Sequence, residues 1–163
     1  MFPEDIEQIA ARVLNLARAA GVTLATVESC TGGLVAGSLT AIAGSSDVLD
    51  RGFVTYSNDA KTALVGVPPA LISEHGAVSE WVARAMAEGG VKAARVGAAV
   101  AITGIAGPGG GSDAKPVGLV HFAVAGAGRP TAHREMRFGD LGREGVRLAA
   151  VKTALEMLEQ ELS

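Results

Sequence analysis

Ile6, Ile9, Ala10, Val13, Ala17 and Ala20 recur at the spacing of one helix face. They lie between a Pro3-Glu4-Asp5 start and Gly21, and predict a first helix. Val22 to Val27 is β-branched and runs into Ser29-Cys30-Thr31-Gly32-Gly33, which predicts a largely buried strand and a turn. A second helix follows over about 33–41, and Gly44-Ser45-Ser46-Asp47 then interrupts the pattern. Gly52 to Tyr56 reads as a second strand, with Ser57 and Asn58 as N-caps for a short helix over about 59–65. Pro68 and Pro69 restart the chain into a connector through Leu71, Ile72 and His75-Gly76, after which Ser79 caps a helix from Glu80 to Ala94. The unbroken small apolar run from Val96 to Thr103 is that of a central strand covered on both faces. Gly104 to Lys115 is the longest irregular stretch. Pro116 to Ala125 and Thr131 to Phe138 read as a hairpin around Gly126-Ala127-Gly128, the second strand at an edge. Val146, Ala149, Ala150, Thr153, Ala154, Met157 and Leu158 mark a closing helix.

Helices that alternate with strands and then yield to a hairpin predict an α/β fold, a three-layer α/β/α sandwich around a mixed, mostly parallel central sheet. At 163 residues the expectation is one domain over 1–163, large enough to bury its own core. The 22 glycines and 4% aromatic content suit a small-residue core with many tight turns. In such sheets ligands sit at the carboxyl ends of strands, where the Ser29 turn and the Gly104 to Lys115 loop fall.

A net charge of −3, with no block of like charges, gives no electrostatic footprint for duplex nucleic acid, so direct nucleic-acid binding is disfavoured. Cys30 stands alone and forms no internal disulfide. No signal-peptide pattern and no apolar run of about 18 residues is seen, so no membrane association and a cytoplasmic setting are expected. Metal chemistry finds no support in His-Glu-x-x-His, cysteine pairs or dense carboxylates.

The chemistry-bearing residues fall in three stretches. In the first, Glu28 to Gly33, Ser29 can face a cleft while the N–H groups of Thr31, Gly32 and Gly33 offer donors to an oxyanion or phosphate. Helix capping would use the same residues, and the Gly-x-Ser-x-Gly elbow is absent, since Val27 and Thr31 hold the glycine positions. Cys30 competes as nucleophile, and Glu28 and Lys61 would complete a Glu-Lys-Cys set. In the second stretch, Tyr56 to Lys61, a desolvated Lys61 can serve as base with Tyr56 relaying or orienting the proton, although a helical lysine is ordinarily a solvated charge. The third is the loop with Gly107, Gly109 and Ser112, whose backbone can cradle an anion; it matches neither the P-loop nor the dinucleotide fingerprint. Beyond them, Arg143 and Arg147 can fork onto a carboxylate or phosphate, and Trp81 reads as core packing or a subunit contact.

ESCTGG (28–33), IAGSS (42–46), RGFVTYSNDAK (51–61), HGAVSE (75–80), TGIAGPGGGSDAKPVG (103–118) and FGDLGREGVR (138–147) together resemble the CinA C-terminal domain family. The resemblance runs from about Gly21 to Leu158, and the length corresponds to the stand-alone form. It implies a nicotinamide-nucleotide amidohydrolase that converts nicotinamide mononucleotide and water to nicotinate mononucleotide and ammonia, without a cofactor. It further implies a Ser29/Lys61 arrangement with Tyr56 nearby, Ser46 and Thr103 in the pocket, and a homo-oligomer. The substrate phosphate is then expected against the Gly107 to Ser112 loop or Arg143. Two other readings stay open: a non-catalytic partner-binding protein, suggested by the family's competence and DNA-damage label, and an amidase for another nucleotide amide.

Overall fold

The first helix, α1 (Glu4–Ala20), starts after an extended Pro3 with Glu4, Asp5 and Glu7 in its first turn, where negative charge complements the helix dipole. It stops at Gly21, whose φ of 67° ends the helix in a left-handed cap. The computed structural model describes residues 1–163. After α1 come β1 (Leu24–Glu28), α2 (Leu34–Thr40), a 3₁₀ turn (Ser45–Asp47), β2 (Leu49–Val54), α3 (Asn58–Val65) and α4 (Pro69–His75). The chain continues through α5 (Glu80–Ala94), β3 (Ala98–Gly104), β4 (Leu119–Gly126), β5 (Arg129–Arg137) and α6 (Gly142–Leu162).

The strands form one sheet in the order β2-β1-β3-β4-β5. β1 is parallel to both β2 and β3, whereas β4 is antiparallel to β3 and to β5, so four strands share one direction and β4 opposes them. From β1 the chain crosses to β2 on one side, then returns past β1 to β3 on the other. Right-handed crossovers in opposite directions lay their helices on opposite faces of the sheet. Accordingly α2 shares one face with α1 and α6, and α3, α4 and α5 cover the other. The strand order reverses between β1 and β3, the place where an open α/β sheet leaves a crevice at its carboxyl edge.

Side-chain alternation along the strands decides what faces that crevice. On β3, Ala98, Val100 and Ile102 join the α1/α6 core, while Ala101 joins the α5 core. On β1, Leu24 points to α1 and Val27 to α5, so Ser29, two residues on, continues the α5 face and Glu28 the α2 face. All five residues of β1 are buried, as a strand covered on both sides requires.

Two elements differ from the sequence reading. The connector after Pro68 is a helix: α4 has Pro69 at its first position, where proline needs no N–H partner. β2 begins at Leu49 rather than Gly52, because an edge strand keeps Asp50 and Arg51 in solvent and so lacks an apolar signature. No helix is long and apolar enough to cross a membrane.

Candidate active site

Three parallel strands end side by side at the crevice. Glu28 of β1 is in register with Val54 of β2 and Ile102 of β3. Ser29, Thr55 and Thr103 follow those residues, and backbone bonds hold them together: Ser29 N–H donates to Ile102 O (3.0 Å) and Thr55 N–H to Glu28 O (2.8 Å). Ser57 then caps α3, its Oγ accepting from Ala60 N–H at 3.0 Å, and this start sends Lys61 back over the strand ends. Lys61 is 1% exposed. Its Nζ donates to Thr55 O at 2.9 Å and approaches Ser29 Oγ at 3.4 Å. Burial holds the Lys61 pKa below the ordinary lysine value, because the ammonium has lost water that two hydrogen bonds do not replace.

Ser29 and Lys61 open onto a cleft of about 280 Å³. Tyr56, Thr103, Gly107, Gly109 and Arg143 also line it, joined by Cys30, Asn58, Ala77, Val78, Gly104, Ile105, Ala106 and Gly110. Arg143, at the start of α6, donates to Gly107 O (2.7 Å) and to the Tyr56 hydroxyl (3.3 Å). The two anion sites set apart on sequence, the glycine loop and Arg143, are thus one wall. Tyr56 faces the cleft with its hydroxyl on Arg143, and no hydrogen bond links it to Lys61. Thr103 lines the floor, its hydroxyl donating to Ala77 O at 2.8 Å.

Other expected residues lie elsewhere. Ser46 sits exposed in the 3₁₀ turn before β2, at the opposite end of that strand from the cleft, a separation of about 20 Å for six strand residues. Ser112 closes its own loop, its Oγ accepting from Lys115 N–H at 3.1 Å, and lies outside the cleft wall. Thr31, Gly32 and Gly33 are also outside it. Gly32 shapes the turn: its φ is 58°, and a Cβ there would stand 3.4 Å from Arg147 Nη2. Thr31 is fully buried, and its hydroxyl has no hydrogen-bond partner.

Glu28 proves to be the helix cap. Its carboxylate accepts from Val35 N–H (2.8 Å), Ala36 N–H (3.0 Å) and the Thr26 hydroxyl (3.0 Å). The N-terminus of α2 is therefore occupied by this chain's own anion and is closed to a substrate's. Turned toward α2, Glu28 is also removed from any Glu-Lys-Cys set. Burial pushes the Cys30 thiol up to about 11, so at neutral pH it carries its proton and is a poor nucleophile. Asn58, Ala77 and Val78 were not marked as cleft residues in the sequence; only the fold of α3 and of the turn before α5 brings them there. The arrangement joins a serine, a desolvated lysine and an arginine-bearing wall, a set suited to acyl transfer on a small anionic substrate.

The model of the CinA C-terminal domain matches residues 6–162. A CinA-like protein of Geobacter sp. (strain M21) is 50% identical over 162 residues, 99% of this chain. The match takes in 39% of that protein, so the chain spans about two fifths of the length of such relatives. The nicotinamide-nucleotide amidohydrolase PncC of Escherichia coli (strain K12) is 49% identical over 99% of this chain and 97% of its own. The crystal structure of competence/damage inducible protein CihA from Agrobacterium tumefaciens superposes with a TM-score of 0.96 at 54% identity, covering 99% of this chain and 98% of that one. Sequence and fold agree over nearly every residue: the chain belongs to the CinA C-terminal domain family.

Proposed function

We propose that the protein is an amidohydrolase that converts nicotinamide mononucleotide and water to nicotinate mononucleotide and ammonia through Ser29 and Lys61. The observation that carries the reading is the approach of Lys61 Nζ to Ser29 Oγ at 3.4 Å inside the cleft, with the lysine pKa lowered by burial. Near-complete coverage of an amidohydrolase relative at 49% identity supports the reaction class. Neutral Lys61 takes the Ser29 proton as Oγ attacks the carboxamide carbon, and the carbonyl π pair moves onto oxygen. Collapse restores the carbonyl and breaks the C–N bond, with the lysine proton passing to the departing nitrogen to give ammonia. Water, deprotonated by the same amine, then adds to the acyl ester; Oγ leaves with that proton and the acid is released. The positive pyridinium draws electrons from the carboxamide and favours attack. Arg143, held by Tyr56 and Gly107, faces the cleft as the phosphate's partner.

Ammonia release from nicotinamide mononucleotide by wild type, Ser29→Ala and Cys30→Ala tests this. Ser29→Ala falls by at least about 1,000-fold and Cys30→Ala stays within about threefold of wild type. Full activity in Ser29→Ala sinks the serine mechanism, and loss confined to Cys30→Ala installs the thiol. A panel of other nucleotide amides, run beside it, decides the substrate.

A further inference from the structure

One hydroxyl beside the nucleophile has its proton already committed. Glu28 and Ile102 are in register on the parallel strands β1 and β3. The residues that follow them, Ser29 and Thr103, therefore stand side by side, about 4.8 Å apart across the sheet. The bond from Ser29 N–H to Ile102 O keeps the two strand ends together beyond that last pair. Both side chains take the α5 face, since Ser29 follows Val27 and Thr103 follows Ala101 at a spacing of two. Both line the cleft, where Thr103, 1% exposed, is set as deep as Lys61. Its Oγ1 lies 2.8 Å from Ala77 O. A carbonyl can only accept, so the Thr103 proton belongs to that bond and its oxygen is left with lone pairs alone. Ala77 O is not free to swing away and release the hydroxyl, because the two carbonyls before it are also tied. His75 O accepts from Lys115 Nζ at 2.7 Å, and Gly76 O from the Ser79 hydroxyl at 2.8 Å. Two other carbonyls at this end of the sheet are already taken, Thr55 O by Lys61 and Gly107 O by Arg143.

We infer that Thr103 is a specificity-determining residue for the amidohydrolase reaction: its Oγ1, restricted to accepting, takes an N–H of the substrate carboxamide and so selects an amide over the corresponding acid or ester. This rests on the proposed reaction at Ser29. A primary carboxamide presents two N–H donors beside the carbon that Ser29 attacks, within reach of an oxygen one strand away. A carboxylate or an ester presents only oxygens in that place at neutral pH. Those oxygens meet the Thr103 lone pairs where water is excluded, and both sides stay unpaired. The same bond tells the two ends of the amide apart, with nitrogen toward Thr103 and the carbonyl oxygen away from it. Once ammonia has left, the product has no N–H to offer, and the contact that favoured the substrate is gone.

Kinetics of Thr103→Val and Thr103→Ser on two substrates test the assignment. One is nicotinamide mononucleotide; the other is the methyl ester of nicotinate mononucleotide, which has no N–H at the reacting group. Thr103→Val keeps the shape of the side chain and removes the acceptor. The expected result is a fall in kcat/KM of about 10- to 100-fold on the amide, with the ester held within about threefold of wild type. Affinity for nicotinate mononucleotide is kept or rises. Thr103→Ser, which retains the hydroxyl, stays within about threefold of wild type on both substrates. Thr103→Cys, whose sulfur is a weak acceptor, carries the same comparison if Thr103→Val does not fold. An equal loss on amide and ester would mean that Thr103 acts only by holding the turn at Ala77, and it overturns the inference. Wild-type kcat/KM on the amide in folded Thr103→Val overturns it too. Activity retained in Ser29→Ala overturns the serine reading instead, while the amide-to-ester ratio is read whichever nucleophile acts, so the two failures are distinguishable.

Discussion

A buried lysine is a cost that a fold carries for a reason. Lys61 is among the largest fully buried side chains, beside Phe122 and Leu14, yet it has two hydrogen bonds for three donors. Stripping water from an ammonium costs several kcal/mol, against about 1.5 to 3 kcal/mol for a well-made charge-assisted hydrogen bond, and of its two bonds the one to Ser29 is long at 3.4 Å. Lys61→Met therefore raises stability by about 1 kcal/mol or more while abolishing ammonia release, and urea denaturation beside the assay checks both. The pH dependence has a definite sign. Because the folded pKa lies below the unfolded value of 10.5, the unfolded chain binds more protons between the two, and wild-type stability rises with pH through that window. The advantage of Lys61→Met accordingly shrinks as pH approaches 10.5. The same depressed pKa sets the acid limb of kcat/KM, which rises with pH at a value below that of free lysine. An acid limb at the ordinary lysine value would remove Lys61 as the base.

At the scale of elements, the distance between Ser29 and Lys61 depends on how closely α5 draws α3 toward the sheet. The two helices meet where a Cβ on Gly89 would lie 1.9 Å from the Val65 carbonyl oxygen, a contact no rotamer can relieve. Gly89→Ala therefore pushes away the end of the helix that carries Lys61. We expect a loss of about 2 kcal/mol or more in urea denaturation and a fall in kcat of at least about tenfold. A folded Gly89→Ala protein with unchanged kcat would show that α3 is positioned by something else. What could be read in the sequence follows the same divide. α1 and α5 were legible because Pro3, Gly21 and Ser79 act locally, and β3 because its run is uniformly apolar. α4 and the first half of β2 were not, since their faces are mostly solvated and only their neighbours give them shape. Ser29 and Lys61 were marked as candidates by residue type, but their pairing came from family resemblance; no spacing rule encodes a contact 32 residues apart. Ser46 stands at the far end of β2 and Ser112 closes its own loop, because a motif gives order along the chain and neither the end of a strand nor the side of a loop that a residue occupies.

For the molecule as a whole, the layers must stay registered, and the β4–β5 hairpin is tied to α5 by a group that acid can disturb. His121 of β4 and His133 of β5 stack with ring centroids 5.2 Å apart and share a hydrogen bond of 2.9 Å between His121 Nδ1 and His133 Nε2. From α5, Glu80 stands 3.8 Å from His133 Nδ1 with Arg84 beside it; Glu135 and Lys115 act on the pair from β5 and the glycine loop. The carboxylates favour protonation, but burial dominates for both rings, and for His121 the charge of His133 adds to it, so both pKa values lie below 6.5. A depressed histidine pKa means that the unfolded chain takes up protons first as pH falls. Stability contributed by the neutral pair is complete above 6.5 and is lost on acidification toward the folded pKa values. The slope reaches at most about 1.4 kcal/mol per pH unit for each proton. Thr103 of the cleft floor is in register with His121 across β3 and β4, so this loosening begins one strand from the site. Urea midpoints measured from pH 7.5 to 5.0 should fall in wild type and fall less steeply in His133→Gln, whose amide can keep a hydrogen bond to His121 without titrating. Equal slopes in the two proteins would mean that the pair stays neutral throughout, and that the acid sensitivity of the fold lies with its carboxylates.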